Sequence, residues 1–499
     1  MSYQLYWGDL HNHCAISYGH GTLPQALARA RQQLDFCSVT GHAFWPDMPT
    51  DREVYAEIID YHNEGFATLA RNWDELVQLH TEANEEGTFI ALPSYEWHSL
   101  KYGDHIVYSP HPDLPLKDAP DLPGLREVAR AVDGITIPHH IGYAKGYRGI
   151  NWDEYREDLS PFVEMFSLHG CSLSTDAAYP MLHDMGPRDF GSTAEEGWRR
   201  GYKFGIVGGT DHHAAYPGSH GDGRMGVFAE SLTRQGLMDA FKARRVYAAT
   251  GDKIDARLHV NDAWIGDTVH APGTRNLAIS VKGIDQLDQV RLLKNGRVIK
   301  RFFPEALAES SDLYRLRLTW GWGRKSELAH WSSKLSLSEG SIRVVDTCFS
   351  GQAVVAPKQE HDDLNANTDE ALLPHEVTDS DESSITWKSV TSGNLSMRHA
   401  TTQSISLEIQ APQSATVTVE VNGHQYQHSL GELIGQARSH FLRGWLTEAI
   451  QIGPAVPIHE CRVETQITDE PEKDTDIYRL EAAQSNGQWA WLTPVWARQ

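Results

Sequence analysis

The chain is poor in paired cysteine, in long apolar runs and in positive charge, and each shortage closes off a class of protein. Its five cysteines, Cys14, Cys37, Cys171, Cys348 and Cys461, are scattered over 499 residues without a Cys-x-x-Cys pair. Neither a disulfide framework nor a thiolate zinc site is expected, and a reducing compartment fits best. No apolar run approaches the ~18–20 residues that span a bilayer. A mean hydropathy of −0.46 with 40% hydrophobic residues belongs to a globular chain rather than a membrane or disordered one. Lys and Arg number 44 against 67 Asp and Glu, a formal charge of −23, which argues against nucleic acid as the main partner. The first residues, Met1-Ser2-Tyr3-Gln4-Leu5-Tyr6-Trp7, lack the basic and then apolar regions of an export signal. A cytoplasmic protein with no membrane partner is expected.

Histidine is present in excess: 26 residues, of which 16 lie between His11 and His220. Imidazole concentrated in one region serves best as metal ligand or proton carrier. From residue 3 to about 250, short β-rich runs alternate with helix-like segments, the sign of parallel strands joined by crossover helices. Strands are predicted at Tyr3–Leu10, Phe36–Thr40, Thr88–Tyr95, His105–Ser109, Ile135–Pro138, Phe162–Leu168 and Phe204–Val207. Thr22 caps a helix carrying Leu23, Ala26, Leu27, Ala30 and Leu34 on one stripe. Further helices are predicted over about 51–86, 122–132, 193–200 and 233–244, and seven strands so separated point to a barrel rather than a flat sheet. Beyond Thr250-Gly251-Asp252 the pattern changes to alternating strands with hairpin turns at Asn295-Gly296 and Asn422-Gly423, the reading of a β-sandwich-like region. Gln359 to Ser384 holds nine acidic residues and no Lys or Arg, and reads as a linker or long loop. The expected division is 1–253, 254–358, 359–384 and 385–499.

Nearly every histidine and carboxylate of note falls at a predicted strand's C-terminal end, the rim where a β/α barrel assembles its active site. His11-Asn12-His13 ends the first strand, and i, i+2 spacing in an extended segment points both rings to one side. His20 follows in the next loop; Thr40-Gly41-His42 ends the second strand and Glu96 the third. Gly103-Asp104-His105 opens the fourth, His139-His140 and His169 close the fifth and sixth, and Asp211-His212-His213 the seventh. Mixed imidazole and carboxylate shells suit Mn, Fe or Zn as divalent ions.

The run Asp9-Leu10-His11-Asn12-His13, then Thr40-Gly41-His42, Glu96, His105, His139 and Asp211-His212-His213 resembles the motif series of the PHP (polymerase and histidinol phosphatase) metallohydrolases. The likeness covers about residues 3–253. Ala240–Gly251 further resembles a long, poorly characterised PHP subgroup with a β-rich C-terminal extension. The resemblance implies an α/β fold, a distorted (β/α)7 barrel followed by the β-sandwich-like region, with two or three divalent ions at the rim. On that likeness His11, His13, Glu96 and Asp211 hold one ion; Glu96, His105 and His139 hold a second; and His20, His42 and His213 hold the third. His140 is the alternative to His139. Gly41 departs from the family, which commonly has Asp there, so an orienting carboxylate is missing; Asp9 and Asp104 are the candidate replacements.

Such a centre is expected to attack a phosphoryl group with a metal-bridging hydroxide, without a covalent enzyme intermediate. His169 or His212 would protonate the leaving oxygen. Lys145, Arg148 and Arg224 are the candidates to orient a small anionic substrate, the arginines ahead of the lysine. The same site could hydrolyse an amide or lactone, and a third reading is a non-catalytic, metal-stabilised binding protein. The tryptophans at 320, 322, 331, 489, 491 and 496 read as core ahead of a sugar-stacking platform. The β-rich half is expected to act as a lid, a homo-oligomer contact or a substrate-selecting wall.

Overall fold

A computed structural model describes residues 3–183, 185–304, 312–324, 327–351, 374–392 and 402–499. In the N-terminal half the chain runs β1 (Gln4–Asp9), α1 (Leu23–Gln33), β2 (Phe36–Cys37), β3 (Thr40–Phe44), α2 (Arg52–Ala83), β4 (Ile90–Ala91), β5 (Ser94–Trp97) and β6 (His105–Tyr108). It continues with α3 (Leu122–Ala131), β7 (Ile135–Pro138), β8 (Phe162–Ser167), β9 (Gly170–Cys171), α4 (Ala194–Arg199), β10 (Gly205–Gly208), β11 (Arg224–Ala229), α5 (Arg234–Lys242) and β12 (Val246–Ala249). Helix α1 starts where the spacing predicts. Thr22 accepts from the Gln25 N–H in a capping box, a proline sits in the first turn, and Leu23, Ala26, Leu27 and Ala30 are buried.

The seven-stranded barrel expected from the alternation is not what forms: among the described residues no sheet closes on itself. β1, β2 and β4 pair in parallel, while β1 is also antiparallel to β11 and β11 to β12. β3, β5, β6 and β7 make a separate four-stranded sheet, and β8, β9 and β10 a third. The reason lies in the connections. Only residues 98–104 link β5 to β6, too short for a parallel crossover, so β6 returns antiparallel to β5 and β7 runs antiparallel to β6. Two predicted strands also split, Phe36–Thr40 into β2 and β3 and Thr88–Tyr95 into β4 and β5, as the chain passes from one sheet to the next. Ser38 marks the crossing, its hydroxyl 2.6 Å from both the Leu92 carbonyl and the Ser94 hydroxyl.

The large sheet continues past residue 253. β12 pairs with strand Trp489–Leu492, itself joined to Thr475–Gln484, so the end of the chain completes a sheet begun by its first residues. Two five-stranded sheets follow the same alternation: one holds 341–346, 403–410, 313–322, 448–457 and 438–441, the other 375–380, 384–392, 328–337, 416–421 and 424–429. Leu316, Leu318, Trp320, Trp331, Trp387 and Val417 share one core between them. Both Asn-Gly turns are hairpins with positive φ at each residue, 53° and 80° at 295–296 and 48° and 83° at 422–423. The acidic run read as a loop ends instead in strand His375–Ser380, which pairs with Ser384–Ser392; its first part, 359–373, lies outside the described residues. Trp320, Trp331, Trp491 and Trp496 are buried, half-buried Trp489 stacks on Trp491, and Trp322 is exposed. All five cysteines are free and buried. Among the described residues no helix is long and apolar enough to cross a membrane.

The halves are joined by buried charge. Asp252 lies 2.7 Å from His220 Nε2 and accepts from Arg317 at 2.7 Å, Gln484 at 2.6 Å and Asn486 at 2.8 Å. Burial alone would raise its pKa, but Arg317 and His220 hold it well below the usual carboxylate range. A depressed folded pKa adds stability that is fully present above the unfolded value near ~3.9 and is lost as pH falls through the folded value. Thermal unfolding between about pH 3 and 6 should therefore show a steep acid limb in the wild type. Asp252→Asn should be less stable at neutral pH and flatter below about pH 4; parallel limbs in both proteins would remove Asp252 as the cause.

Candidate metal centre

Asp9, at the end of β1, ties the first and last motifs together. It accepts from the N–H groups of His11 (3.0 Å), Thr210 (3.1 Å) and Gly218 (2.9 Å) and from the Thr210 hydroxyl (2.6 Å). The His11 and His13 rings then project toward the centre. His11 Nδ1 is 2.7 Å from Glu164 Oε2, which leaves its Nε2 facing Asp211 Oδ1 at 3.3 Å and Glu96 Oε2 at 3.8 Å. His13 Nδ1 donates to the Thr40 carbonyl at 2.8 Å and its Nε2 lies 3.1 Å from Asp211 and 3.5 Å from Glu96. His42 Nε2 is 3.6 Å from the same Glu96 oxygen and 3.3 Å from His213 Nε2. Glu96 Oε1 faces His98 Nδ1 and His139 Nε2, each at 3.3 Å. Glu96 is thus the hub.

Several sets of three or four ligand atoms lie within 4.8 Å of one another: His13, His42 and His213; His11, His13 and Glu96; His11, His139 and Asp211; His42, Glu96 and His98; and Glu96, Asp104, His139 and His140. The protonation states suit a cation. Burial would raise the carboxyl pKa values, yet the imidazoles hold Glu96 well below the usual range, and His11 and His169 do the same for Asp211. Burial and neighbouring imidazoles push His42, His139 and His213 well below 6.5. Neutral rings at these three positions beside anionic carboxylates are compatible with a divalent ion at neutral pH, whereas His11, which Asp211 and Glu164 hold well above 6.5 against its burial, would exchange its proton for the ion. His11 Nε2, Glu96 Oε2 and His139 Nε2 are buried with no hydrogen-bond partner, at a cost of about 1–3 kcal/mol each unless a cation satisfies them. The residues present fit a metal cluster.

The structure brings His11, His13, His42, Glu96, His139, His140, Asp211 and His213 together. It does not bring His105 there. On antiparallel β6 His105 pairs with Trp97, one position along from Glu96 and therefore on the opposite face, and its Nδ1 donates to Gly103. Asp104 faces in, 3.3 Å from both His98 Nδ1 and His140 Nε2. His20 lies in a loop whose backbone N–H donates to the His213 carbonyl. His212 turns toward Tyr216 while its neighbours Asp211 and His213 face the cluster, the backbone taking φ of +54° at Asp211. His169 lies against the centre: its Nε2 is 2.9 Å from Asp211 Oδ2 and its Nδ1 2.7 Å from the Tyr143 hydroxyl. Burial lowers the His169 pKa to about 4, so the neutral ring donates to Asp211 and accepts from Tyr143.

Among the expected anion-binding residues, Arg224 is fully buried on β11 and bonds Asp346, Gln33 and the Gly218 carbonyl. It is a clamp between the halves and does not reach the rim. Lys145 is exposed, pairs with Asp153 at 2.6 Å, and lines a cavity of about 540 Å³ with Asp47, Leu100, Lys101 and Gly146. Arg148 is held at the cluster by Asp104 and His98.

Two participants had a sequence signal that went unread. His98 stands at i+2 from Glu96, the same-face spacing used for His11 and His13. Glu164 is the lone carboxylate within the apolar run Phe162-Val163-Glu164-Met165-Phe166, and a charge there requires a buried partner. Gly209 makes room for it, since a Cβ there would come within 2.6 Å of Glu164 Oε2. Gly41 also has a packing reason: a Cβ would meet the Leu69 side chain of α2 at 2.3 Å, so an aspartate would require Leu69 to move.

A family described as a protein of unknown function (DUF3604) matches residues 218–322. An uncharacterized protein of Chlamydia pneumoniae is 25% identical over 264 residues, 47% of this chain and 41% of its own. One from Chlamydia muridarum is 24% identical over 252 residues, 46% of this chain and 40% of its own. The chain thus spans about two-fifths of the length of the curated relatives it matches. A crystal structure from Bacteroides vulgatus of a two-domain protein containing a predicted PHP-like metal-dependent phosphoesterase aligns over 86% of this chain and 95% of that one. Its TM-score is 0.32 and its identity 13%.

Proposed function

We propose that the chain is a metal-dependent hydrolase, a phosphoesterase acting on a small phosphorylated compound. The observation that carries this is the buried convergence of imidazole nitrogens on the Glu96 carboxylate, two of which, His11 Nε2 and His139 Nε2, have no hydrogen-bond partner. Divalent ions held by His11, His13, Glu96 and Asp211, and by His42 and His213, would supply hydroxide at neutral pH and neutralise phosphoryl oxygens. The protein's own part is orientation. Glu164 selects the His11 tautomer that leaves Nε2 free for a ligand, and Tyr143 and His169 fix Asp211 in line. Lys101 and Lys145, beside the cavity next to Arg148, would hold the substrate's anionic part at the entrance.

The test is metal analysis of protein purified without added metal or chelator, followed by rate measurements on phosphate monoesters, diesters and amides. Two or more equivalents of Mn, Fe or Zn per chain with turnover of a phosphate ester are expected. Turnover of amides alone would move the assignment to the carbonyl-directed reading. Less than half an equivalent, not restored by Mn²⁺ or Zn²⁺, would leave a binding protein.

A further inference from the structure

We infer that Arg148 is the centre's resident cation: it withdraws Asp104 and His98 from the metal shell, so that the cluster takes two divalent ions. The inference rests on the cluster being a metal centre and is independent of which bond is hydrolysed.

Asp104 has the burial and position of a ligand, fully inaccessible and grouped with Glu96, His139 and His140. Its lone pairs are already committed. Oδ1 accepts the Ser99 N–H at 2.9 Å, and Oδ2 accepts from Arg148 through Nε at 2.7 Å and through Nη2. Two charge-assisted donors on one oxygen fill the lone pairs a metal would need. Arg148 Nη2 also donates to His98 Nδ1 at 2.8 Å, occupying the nitrogen that faces Glu96. His140 Nε2, 3.3 Å from Asp104 Oδ2, is oriented to donate there. A third ion on this side would have only His139 to itself, because Glu96, His11 and Asp211, which lie within reach of His139, already serve the first ion.

Arg148 is fixed where it stands. Its guanidinium lies 5.1 Å over the Trp45 ring, Nη1 contacts Met185 Sδ at 3.3 Å, and the backbone N–H donates to the Leu100 carbonyl. Charge points the same way. Glu96, Asp104, Asp211 and Glu164 are buried carboxylates at this centre, and with one guanidinium they leave three negative charges. Two divalent ions come within one charge of balance; a third would leave three positive charges in a low-dielectric interior. Asp9 does not enter this sum, since backbone N–H groups and the Thr210 hydroxyl answer it.

The experiment counts metal in protein saturated with Mn²⁺ or Zn²⁺ and freed of excess by gel filtration. Wild type should retain two equivalents. Arg148→Met, which frees Asp104 and His98, should retain three, and Arg148→Lys two. Asp104→Asn should keep two, because Asp104 binds Arg148 and no ion. If either single variant fails to fold, the Arg148→Met/Asp104→Asn double variant removes the buried pair together and, with His98 freed to join Glu96 and His139, should hold three. A wild-type count other than two, a lost equivalent in Asp104→Asn, or an unchanged count in a folded Arg148→Met or in the double variant overturns the assignment. Protein that holds two ions yet turns over no phosphate ester upholds it while defeating the proposed function.

Discussion

Glu96→Gln is expected to empty the centre. Glu96 Oε2 faces the Nε2 atoms of His11, His13 and His42 at 3.8, 3.5 and 3.6 Å, and Oε1 faces His98 and His139 at 3.3 Å. Glutamine keeps the volume and one carbonyl but loses the charge, and turns an N–H₂ toward imidazole lone pairs that a cation would need. Bound metal should fall below one equivalent. Hydrolysis should fall on the order of 10³-fold or more, since the charge stabilisation lost is several kcal/mol. Glu96→Asp, which retains charge at shorter reach, should keep part of the metal. Wild-type metal content in Glu96→Gln, measured by elemental analysis on folded protein, would falsify the hub assignment.

The second large effect is on stability. Arg224 and Asp346 are both fully buried, Nη1 3.1 Å from each carboxylate oxygen, while Arg224 Nη2 bonds Gln33 and Nε the Gly218 carbonyl. Removing one partner leaves an uncompensated buried charge, which costs about 3–5 kcal/mol, whereas removing both can be nearly neutral. Arg224→Met and Asp346→Asn should each lower the denaturant midpoint markedly, and the double variant should recover much of the loss. The damage should also reach the metal centre, because the Gly218 N–H bonds Asp9 and Asp9 holds His11 and Thr210. Single variants that unfold within about 1 kcal/mol of wild type would show that Arg224 is not the clamp.

Where interactions are local, the sequence was legible. The Thr22 capping box, the apolar stripe of α1 and both Asn-Gly hairpins follow from short-range chemistry and stand where the spacing puts them. Five of the motif histidines, His11, His13, His42, His139 and His213, likewise collect at one place, since each lies beside a strand of the same small set. The expected distorted barrel does not close among the described residues, because alternating strands and helices do not by themselves disclose strand direction. A loop of seven residues between β5 and β6 reverses one strand, and the alternation looks the same on paper.

That reversal also decided the site. The sequence by itself determined the chemistry: an excess of imidazole and carboxylate at strand ends, few positive charges, and no thiolate cluster. The tertiary structure alone decided which member of each adjacent pair faces inward, Asp104 rather than His105 and His213 rather than His212. It also brought Glu164, Arg148 and Asp346 to partners distant in the chain, His11, Asp104 and Arg224. Side chains one residue apart on a strand point to opposite faces, so facing depends on register, and register is set by contacts with strands far away in sequence.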